Sequence, residues 1–428
     1  MDRSWVKSKY MKMAANDPGI VIIGAGEAGT RAALTLREEG YEGEVTLIGA
    51  ENNPPYERPP LSKTGPGDSQ TVQPKLIISR DALAQQGINY RSGLSAAGIE
   101  RTTRQVRLSN GEALAYSRLL LATGAVPRRL ALPGADLVPL HYLRDVNDRR
   151  ALCPYLRAGN RLVIIGGGFI GLEVAALAHE QGAMVTVIEV AQRILTRAVP
   201  ALIAARIAAR HREAGITLLE GVALSAIRPT GSGAATVHLA DGRIVEAEAI
   251  IVGIGAKPDT ALAEASGLAI ENGICVDASL TTSDPMIFAA GDCCSFPHPV
   301  FGGRRLRLEA WRNAHDQGLH VARTMLGERK DYAAIPWFWS DQFAETLQIA
   351  GLPDEADETI LRDGGDTPFL FHLKAGRLVG ASAFGPLAQV ARDMRLAERL
   401  IAAEVSPDPV KLADAAIKMK SLLPVMVA

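Results

Sequence analysis

The sequence predicts an α/β protein with two doubly wound domains, followed by a smaller α+β domain. First, a pattern of strand, glycine turn, helix and strand occurs at 19–51 and again at 161–190. Second, each copy is followed by a hairpin signal and a buried apolar strand, at 110–124 and 241–259. Third, the remaining segment, 331–428, mixes strands with helices.

Each repeated unit has the residue types of a βαβ element. Runs of Val and Ile favour parallel strands that are buried on both faces. The helices are alanine-rich, and we expect them to end near Gly40 and Gly182, because glycine readily adopts the left-handed conformation that follows a helix. Asn-Gly at 110–111 and Asp-Gly at 241–242 predict tight hairpins.

One further strand, within MIFAAGDCC at 286–294, has no βαβ unit beside it. The simplest topology therefore inserts the second domain into the first. The predicted domains are 18–126 with 255–330, then 127–254, then 331–428. Residues 1–17 are polar and mildly basic, and we expect either a disordered tail or an upstream start before Met11 or Met13. They lack the apolar core of a secretory signal.

Composition excludes several classes of function. The net charge of −1 gives no global basic field for nucleic acid or an anionic membrane. The most apolar long stretch is too short and too interrupted by glycines for a membrane span. The four cysteines have no zinc-ligand spacing, so we expect no metal site, and we interpret them as reduced thiols of a cytoplasmic protein.

The two glycine turns match the pattern that binds the pyrophosphate of a dinucleotide in Rossmann-like domains. The first glycine makes the tight turn, the second lets the backbone approach the pyrophosphate, and the third lets the helix pack on the strand. The helix N-terminus then favours the anion. One such motif is a weak signal, but here both turns follow a strand, open a helix and lead to an acidic residue. The glycines are Gly24, Gly26 and Gly29 in the first turn and Gly166, Gly168 and Gly171 in the second.

The acidic residue after each turn bears on the ribose. Glu189 lies near the spacing of about 20 residues expected for a carboxylate on the adenosine 2′-hydroxyl, where it would repel the phosphate of NADP. NADH is therefore the expected ligand, while Arg193 and Arg197 keep NADPH open as an alternative. In the first unit the carboxylate is Glu51, which comes slightly late.

Two dinucleotide sites suit a flavin and a nicotinamide that exchange a hydride. That chemistry belongs to the cofactors, and the protein supplies positioning and electrostatics. We therefore expect no acid–base residue to be essential for the hydride step.

Short motifs from about residue 18 to the C-terminus carry a family likeness. They are GAGEAG, PYERPPLSK, LLLATG, HYLRD, GGGFIGLE, VGIGAKPD, AAGDC, LEAWRNAHDQG and PWFWSDQ. On these motifs the chain resembles the NADH-dependent ferredoxin reductases of bacterial oxygenase systems. The resemblance implies glutathione-reductase-type FAD and NAD domains and a C-terminal domain beside the flavin.

The resemblance also implies which residues hold the cofactors. Lys63 would lie near the flavin ring, and Glu173 near the nicotinamide amide. Ala96 would contact the adenine end of FAD, Arg144 would reach the flavin side, and Trp311 would contact the edge of the isoalloxazine. The implied FAD residues are Gly24, Gly26, Ala28, Gly29, Glu51, Lys63, Ala96, Arg144, Asp292 and Trp311. The implied NAD residues are Gly166, Gly168, Gly171, Glu173, Glu189, Arg197 and Gly255.

Position 50 departs from the family, which usually has Asp or Glu where this chain has Ala50. Glu51 would replace that carboxylate through a small shift, or the FAD ribose would be held less tightly.

Several of these residues also have purely structural interpretations. Without the family motif, Lys63 would be interpreted as a solvated lysine and Asp292 as a helix cap. Trp311, Trp337 and Trp339 could simply be packing residues, since aromatic side chains dominate cores. For Trp339 the alternative is a place on the route by which electrons leave.

The resemblance implies an enzyme that passes electrons from NADH through FAD to a [2Fe–2S] ferredoxin, which would feed a Rieske oxygenase or a cytochrome P450. One alternative is an NADH oxidase or disulfide reductase, which needs a redox cysteine beside the flavin. Ser62 and Lys63 occupy that place, and no cysteine precedes Cys153. The other is an apoptosis-inducing-factor-like flavoprotein, which would be expected to carry a targeting sequence and long basic insertions that this chain lacks.

A basic cluster offers a docking surface for an acidic ferredoxin, which would be steered to it at low salt. The alternative is an ordinary solvated face, and the sequence favours neither. The cluster consists of Arg304, Arg305, Arg307 and Arg312.

Overall fold

The computed structural model describes residues 17–63, 72–197, 199–231, 233–362 and 367–423. It divides the chain into two compact units. The first comprises the residues up to Glu57, Lys75–Val126 and Lys257–Ala334, and the second comprises Arg58–Pro74, Pro127–Ala256 and the residues from Ile335 onward. The tail predicted at 1–17 lies outside the described residues except for Asp17, and the three-domain division stays a prediction.

Strands of the described residues are numbered here in chain order. They are β1 (Ile20–Ile23), β2 (Val45–Gly49), β3 (Ile88–Ser92), β4 (Ala96–Glu100), β5 (Gln105–Leu108), β6 (Ala113–Ala115), β7 (Arg118–Leu121), β8 (Ala125–Pro127), β9 (Leu140–His141), β10 (Arg161–Ile165), β11 (Met184–Glu189), β12 (Thr217–Glu220), β13 (Leu224–Pro229), β14 (Ala235–Leu239), β15 (Ile244–Ala247), β16 (Ala249–Val252), β17 (Ala256–Pro258), β18 (Ile274–Cys275), β19 (Ile287–Ala289), β20 (Cys294–His298), β21 (Arg304–Leu306), β22 (Trp337–Gln342), β23 (Glu345–Gly351), β24 (Glu358–Arg362), β25 (Phe369–Lys374) and β26 (Arg377–Gly385).

The helices are numbered in the same way. They are α1 (Glu27–Glu38), α2 (Arg80–Gln85), α3 (Val146–Leu152), α4 (Phe169–Glu180), α5 (Ala201–Ala214), α6 (Ala261–Ala265), α7 (Trp311–Met325), α8 (Leu387–Ala402) and α9 (Pro409–Ala413). A 3₁₀ turn at Pro59–Ser62 also contributes to the site described below.

A five-stranded parallel sheet forms the centre of the first unit, in the order β3–β2–β1–β7–β19. Strands β1 and β2 are buried along their whole length, as apolar strands of a doubly wound sheet should be. Strand β19 pairs with β7, so the strand predicted within 286–294 joins the first sheet. Two small sheets, β4–β5–β6 and β18–β20–β21, belong to the same unit.

Helices α1 and α7 pack against each other in this unit. Gly318 of α7 makes the close approach possible, since a Cβ atom there would lie 2.6 Å from the carbonyl oxygen of Ala28. The contact places the first turns of α7 beside the glycine turn that opens α1.

The second unit begins with another parallel sheet, in the order β12–β11–β10–β16–β9. Strand β10 leads through the second glycine turn into α4, whose side chains are buried from Gly171 to Ala178. An antiparallel sheet, β13–β14–β15, lies in the same unit. The predicted βαβ repeat is therefore confirmed in both units.

The C-terminal part of this unit is an antiparallel sheet in the order β22–β23–β26–β25–β24, with α8 packed on β23 and β26. Leu347 and Phe384 of this sheet share an apolar core with Leu172 of α4 and Ile203 of α5. Strand β22 also lies against α4. This shared core fixes the side chains of β22 beside the helix that follows the second glycine turn.

The local turn signals are confirmed. Gly40 and Gly182 adopt left-handed φ values of 84° just after α1 and α4 end. The hairpins predicted at 110–111 and 241–242 join β5 to β6 and β14 to β15.

Candidate functional site

The first glycine turn contains two glycines that the backbone itself requires. Gly24 has a φ of 110°, and a Cβ atom there would lie 2.0 Å from the carbonyl oxygen of Ala122. At Gly29, the third glycine, a Cβ atom would lie 1.9 Å from the carbonyl oxygen of Gly24. Both positions exclude a side chain because strand, turn and helix are in direct contact.

The second glycine of this turn has a different environment. A Cβ atom on Gly26 would meet no heavy atom within 4 Å, and the φ of −78° is open to any residue. Among the described residues, no side chain caps the helix that Gly26 opens. Open space at an uncapped helix N-terminus, with Ala28 in its first turn, fits the pyrophosphate of a dinucleotide.

Helix α7 carries a buried amide that contacts the end of the first parallel sheet. Gly291, which follows β19, donates its backbone N–H to Gln317 Oε1 at 2.7 Å. The Nε2 group of this fully buried glutamine has no hydrogen-bond partner in the described part of the chain. Asp292 comes next after Gly291, so this predicted FAD residue lies at the carboxyl end of the sheet, where ligands bind in doubly wound folds.

Trp311 begins α7 and stacks on His315 one turn later, with ring centroids 5.2 Å apart. His315 Nδ1 lies 2.8 Å from Glu27 Oε1, in the first turn of α1. The predicted flavin contact Trp311 is thus tied to the first glycine turn through His315 and Glu27. Neither residue is among those that the family motifs imply, although the spacing of four between Trp311 and His315 on a helix is a signal in the sequence.

The predicted ribose carboxylate of the first unit is held by a tyrosine. Tyr56 donates its hydroxyl to Glu51 Oε2 at 2.5 Å. Ala96, predicted at the adenine end, is the first residue of β4 and is half-buried. The roles of Glu51 and Ala96 toward FAD stay predictions.

The second glycine turn repeats the geometry of the first. Gly166 has a φ of 107°, and a Cβ atom there would lie 2.5 Å from the carbonyl oxygen of Gly253. At Gly171 a Cβ atom would lie 2.2 Å from the carbonyl oxygen of Gly166. A Cβ atom on Gly168 would meet only the Gly253 oxygen at 3.8 Å, so the middle glycine again borders open space.

Glu189 ends β11 beside this turn. Its Oε2 accepts the backbone N–H of Gly167 at 2.7 Å, and its Oε1 accepts that of Ala191 at 2.8 Å. The carboxylate is therefore held at the turn. The role of Glu189 toward the NADH ribose stays a prediction.

Gly255 and Arg197, two further predicted NAD residues, lie close together. Gly255 has a φ of 98°, and a Cβ atom there would lie 3.2 Å from Arg197 Nη2. A side chain at position 255 would thus displace the guanidinium of Arg197.

Lys63 lies between two carboxylates of the second unit. Its Nζ is 2.7 Å from Asp341 Oδ2 and 4.0 Å from Glu173 Oε1. Glu173 also accepts hydrogen bonds from the hydroxyls of Ser62 and, at 2.6 Å, Ser340. The sequence had indicated Lys63 and Glu173 through the family motifs. Ser62, Ser340 and Asp341 were missed as polar partners, because their chain separation hides the contact.

The buried position of Glu173 affects its charge. Only 5% of its side chain is exposed. Burial raises the pKa of this carboxyl group, while Lys63 and the hydroxyls of Ser340 and Ser62 oppose the rise. The protonation state of Glu173 therefore depends on how close the Lys63 ammonium lies.

Arg144, predicted on the flavin side, precedes α3 in the second unit. Its backbone N–H donates to Asp148 Oδ2 at 2.8 Å, and its carbonyl accepts from Arg58 Nη1 at 2.6 Å. Arg58 directly precedes the 3₁₀ turn that ends at Ser62. The backbone of Arg144 is thus linked to the segment that carries Lys63.

The predicted basic cluster is largely engaged in the first unit. Arg305 donates to the carbonyl oxygens of Val276 and Ser295, at 3.1 and 2.6 Å. Arg307 pairs with Glu309 at 2.6 Å, and Arg312 lies 3.6 Å from Asp316. Arg304 is exposed on β21. Part of the cluster therefore has a structural role in addition to any docking role.

In the described part of the chain, no group of three or more His, Cys, Asp or Glu side chains is arranged to hold a metal ion. Among the described helices, none has the length and apolar character that crossing a bilayer requires.

Sequence profiles match nearly the whole chain. The pyridine nucleotide-disulphide oxidoreductase family matches residues 18–318, and a reductase C-terminal domain matches 337–423. The ferredoxin–NAD(+) reductase component of the anthranilate 1,2-dioxygenase system of Burkholderia cepacia is 40% identical over 410 residues, covering 95% of this chain and 99% of the relative. Rhodocoxin reductase of Rhodococcus erythropolis is 36% identical over 403 residues, covering 94% and 93%.

Solved structures agree with these relatives. The ferredoxin reductase for the CYP199A2 system of Rhodopseudomonas palustris gives a TM-score of 0.87 at 35% identity, covering 95% of this chain and all of that one (100%). The covalent putidaredoxin reductase–putidaredoxin complex gives 0.88 at 34% identity, covering 96% and 98%. The predicted fold class and the resemblance seen in the motifs are confirmed, and the chain belongs to the pyridine nucleotide-disulphide oxidoreductase family.

Proposed function

We propose that this protein is an FAD-dependent NADH:ferredoxin reductase, which passes electrons from NADH to a [2Fe–2S] ferredoxin that feeds a Rieske oxygenase or a cytochrome P450. The carrying observation is the pair Ser62–Lys63, which stands where disulfide reductases of this family type have a redox cysteine. Ser62 is hydrogen-bonded to Glu173, and Lys63 is paired with Asp341. A hydroxyl and an ammonium in these positions cannot form the thiolate that disulfide chemistry needs.

The residues of the chain supply binding and orientation. The α1 N-terminus at Gly26 would receive the FAD pyrophosphate, and the α4 N-terminus at Gly168 that of NADH. Glu189 would accept the ribose hydroxyls of NADH and repel a 2′-phosphate. Bound FAD would supply the chemistry that links a two-electron donor to a one-electron acceptor.

The remaining residues carry proposed contacts that follow the family motifs. Toward FAD these are Ala28, Glu51, Lys63, Ala96, Arg144, Asp292 and Trp311. Toward NADH they are Glu173, Arg197 and Gly255.

The cysteines of the chain weigh against a disulfide or peroxide reductase. Cys293 and Cys294 are fully buried, and burial raises the pKa of both thiols. A reactive cysteine needs an accessible thiolate with a lowered pKa. Cys293 and Cys294 are instead inaccessible, and their thiol pKa values are raised.

A ferredoxin as acceptor is supported by the relatives, which include a reductase solved in covalent complex with putidaredoxin. We propose that the acceptor docks on the basic cluster of Arg304, Arg305, Arg307 and Arg312. As a separate proposal, Trp339 lies on the route by which electrons leave. If electrostatic steering brings the ferredoxin to the basic cluster, the rate of ferredoxin reduction should fall as the ionic strength rises.

The experiment uses purified, FAD-loaded protein under anaerobic conditions. NADH should bleach the flavin absorbance, and the protein should then reduce a [2Fe–2S] ferredoxin far faster than a disulfide, a peroxide or oxygen. Rapid disulfide reduction without ferredoxin reduction would overturn the proposal.

We also propose that the protein works in the cytoplasm. Cys153, Cys275, Cys293 and Cys294 are all free thiols, as is usual in a reducing compartment. Fractionation of the native cells should find the protein with cytoplasmic markers, and its recovery with periplasmic markers would contradict this location.

A further inference from the structure

The Lys63 ammonium is held more tightly by Asp341 than by Glu173. Asp341 Oδ2 lies 2.7 Å from Nζ and also accepts the indole N–H of Trp339 at 3.1 Å. The ring of Trp339 lies 4.8 Å from Nζ, within the range of a cation–π contact. Asp341 therefore keeps Nζ 4.0 Å from the buried carboxylate of Glu173, beyond hydrogen-bond distance.

Hydroxyl donors orient the Glu173 carboxylate. Gln342, which is buried, donates from Nε2 to Ser340 Oγ at 3.1 Å. Because Ser340 accepts this bond, its own proton is available for Glu173 Oε1, at 2.6 Å. Ser62 donates to the other oxygen. After accepting one hydroxyl proton, each carboxylate oxygen of Glu173 keeps a second lone pair that can accept another hydrogen bond. A direct ion pair with Lys63 would occupy that lone pair.

Glu173 belongs to the helix that opens at the second glycine turn, five residues after Gly168. We propose that Asp341 is a positioning residue for the nicotinamide site, which holds Lys63 off Glu173 so that the Glu173 carboxylate can accept the carboxamide N–H of the nicotinamide. This inference rests on the proposed function, because it takes NADH as the ligand of the second turn.

The charge of Asp341 affects the pKa of Glu173. The charged groups that act on Glu173 are Lys63, at the end of the 3₁₀ turn, and Asp341, on β22. Asp341 raises the pKa of Glu173, and Lys63 lowers it. Removing Asp341 therefore both deletes an anion and frees Lys63 to approach, so the carboxylate stays ionised to a lower pH.

The test is the affinity of FAD-loaded protein for NAD⁺ as a function of pH, measured by titration calorimetry. The ionised carboxylate of Glu173 accepts a hydrogen bond from the carboxamide N–H, so NAD⁺ binding should weaken as the pH falls through the Glu173 titration. The midpoint of this pH dependence is the quantity to compare between variants. Asp341→Asn should move that midpoint down by about one pH unit, and Lys63→Gln should move it up by about as much. Asp341→Glu should keep the midpoint of the unaltered protein.

Two further variants separate this role from a structural one. Asp393→Asn removes the same charge from an exposed ion pair with Arg392 on α8, and should leave the midpoint unchanged. Glu173→Gln should abolish the pH step. An unshifted midpoint in Asp341→Asn, or a pH step that persists in Glu173→Gln, overturns the proposal. Failure to reduce ferredoxin with an intact shift would instead overturn the proposed function alone.

Discussion

Individual glycines in the two turns have different reasons to be glycine. Gly24 and Gly29 are enclosed by backbone atoms, whereas Gly26 borders open space. The sequence motif treats the three alike, and the structure separates the two that the backbone requires from Gly26, which borders open space.

This difference predicts opposite effects of alanine. Gly26→Ala should leave the free energy of unfolding of the apoprotein nearly unchanged and should reduce the FAD content of the purified protein, since the new methyl group occupies the pyrophosphate space. Gly29→Ala should destabilise the apoprotein by about 1–3 kcal/mol or more, because its Cβ atom would overlap a carbonyl oxygen. Urea unfolding and flavin absorbance per protein check both. Equal destabilisation by the two variants would contradict the assignment.

Glu189 is the residue that should set the choice of nucleotide. Glu189→Arg removes the proposed acceptor of the ribose hydroxyls and adds a cation for a 2′-phosphate, so kcat/KM for NADH should fall roughly tenfold or more while that for NADPH rises. The Glu189 carboxylate also accepts the backbone N–H groups of Gly167 and Ala191, so its loss affects the turn for both nucleotides. The deciding measurement is therefore the ratio of kcat/KM for NADH to kcat/KM for NADPH.

The control for Glu189 is Glu246→Ala on β15, which removes an exposed carboxylate from the same unit. It should leave the NADH/NADPH ratio unchanged. An unchanged ratio in Glu189→Arg would remove Glu189 from the ribose site.

At the scale of elements, the close approach of α1 to α7 requires a glycine at position 318. Gly318→Ala would bring a methyl group within 2.6 Å of the Ala28 carbonyl oxygen and 2.9 Å of the Arg31 Cβ atom. The helices would have to separate, and we expect a loss of about 1–3 kcal/mol in the free energy of unfolding. Urea unfolding of the apoprotein measures it.

The matched control is Gly231→Ala, a turn glycine whose Cβ atom would meet nothing within 4 Å. Its effect should lie within about 0.5 kcal/mol. If Gly318→Ala were equally mild, the close approach of the two helices would not be a constraint on the fold.

Strand β22 shows how an element acquires a second role. Its pairing with β23 makes it part of the C-terminal sheet, and its position against α4 brings Ser340 and Asp341 to Glu173. The motif PWFWSDQ indicates the family, but nothing in the neighbouring sequence indicates that Ser340 and Asp341 lie beside Glu173 and Lys63.

For the whole molecule, buried histidines predict sensitivity to acid. His372 lies between the hydroxyls of Thr359 and Ser382, and burial lowers its pKa from 6.5 to about 4. Below about pH 6.5 the unfolded chain takes up a proton that the folded protein does not accept until about pH 4. Stability should therefore fall across this interval, by about 3 kcal/mol from His372 alone.

Urea unfolding at about pH 7 and about pH 5 checks this linkage. His372→Gln should flatten the fall between the two pH values, whatever its effect at neutral pH. An equally steep fall in the variant would show that His372 does not titrate as its burial requires.

The sequence by itself determined the two βαβ units, the turns that end their helices, the hairpins and the ligand class of the glycine turns. These features depend on neighbouring residues and on periodicity, both of which can be recognised along the sequence itself. The tertiary structure decided which glycine borders open space, that α7 packs on α1 beside the first turn, and that Asp341 and Ser340 complete the environment of Lys63 and Glu173. Lys63 and Asp341 are 278 positions apart, and only the packing of β22 on α4 brings them into contact. A polar residue acquires its partner from burial and proximity, which arise only when distant elements share one core.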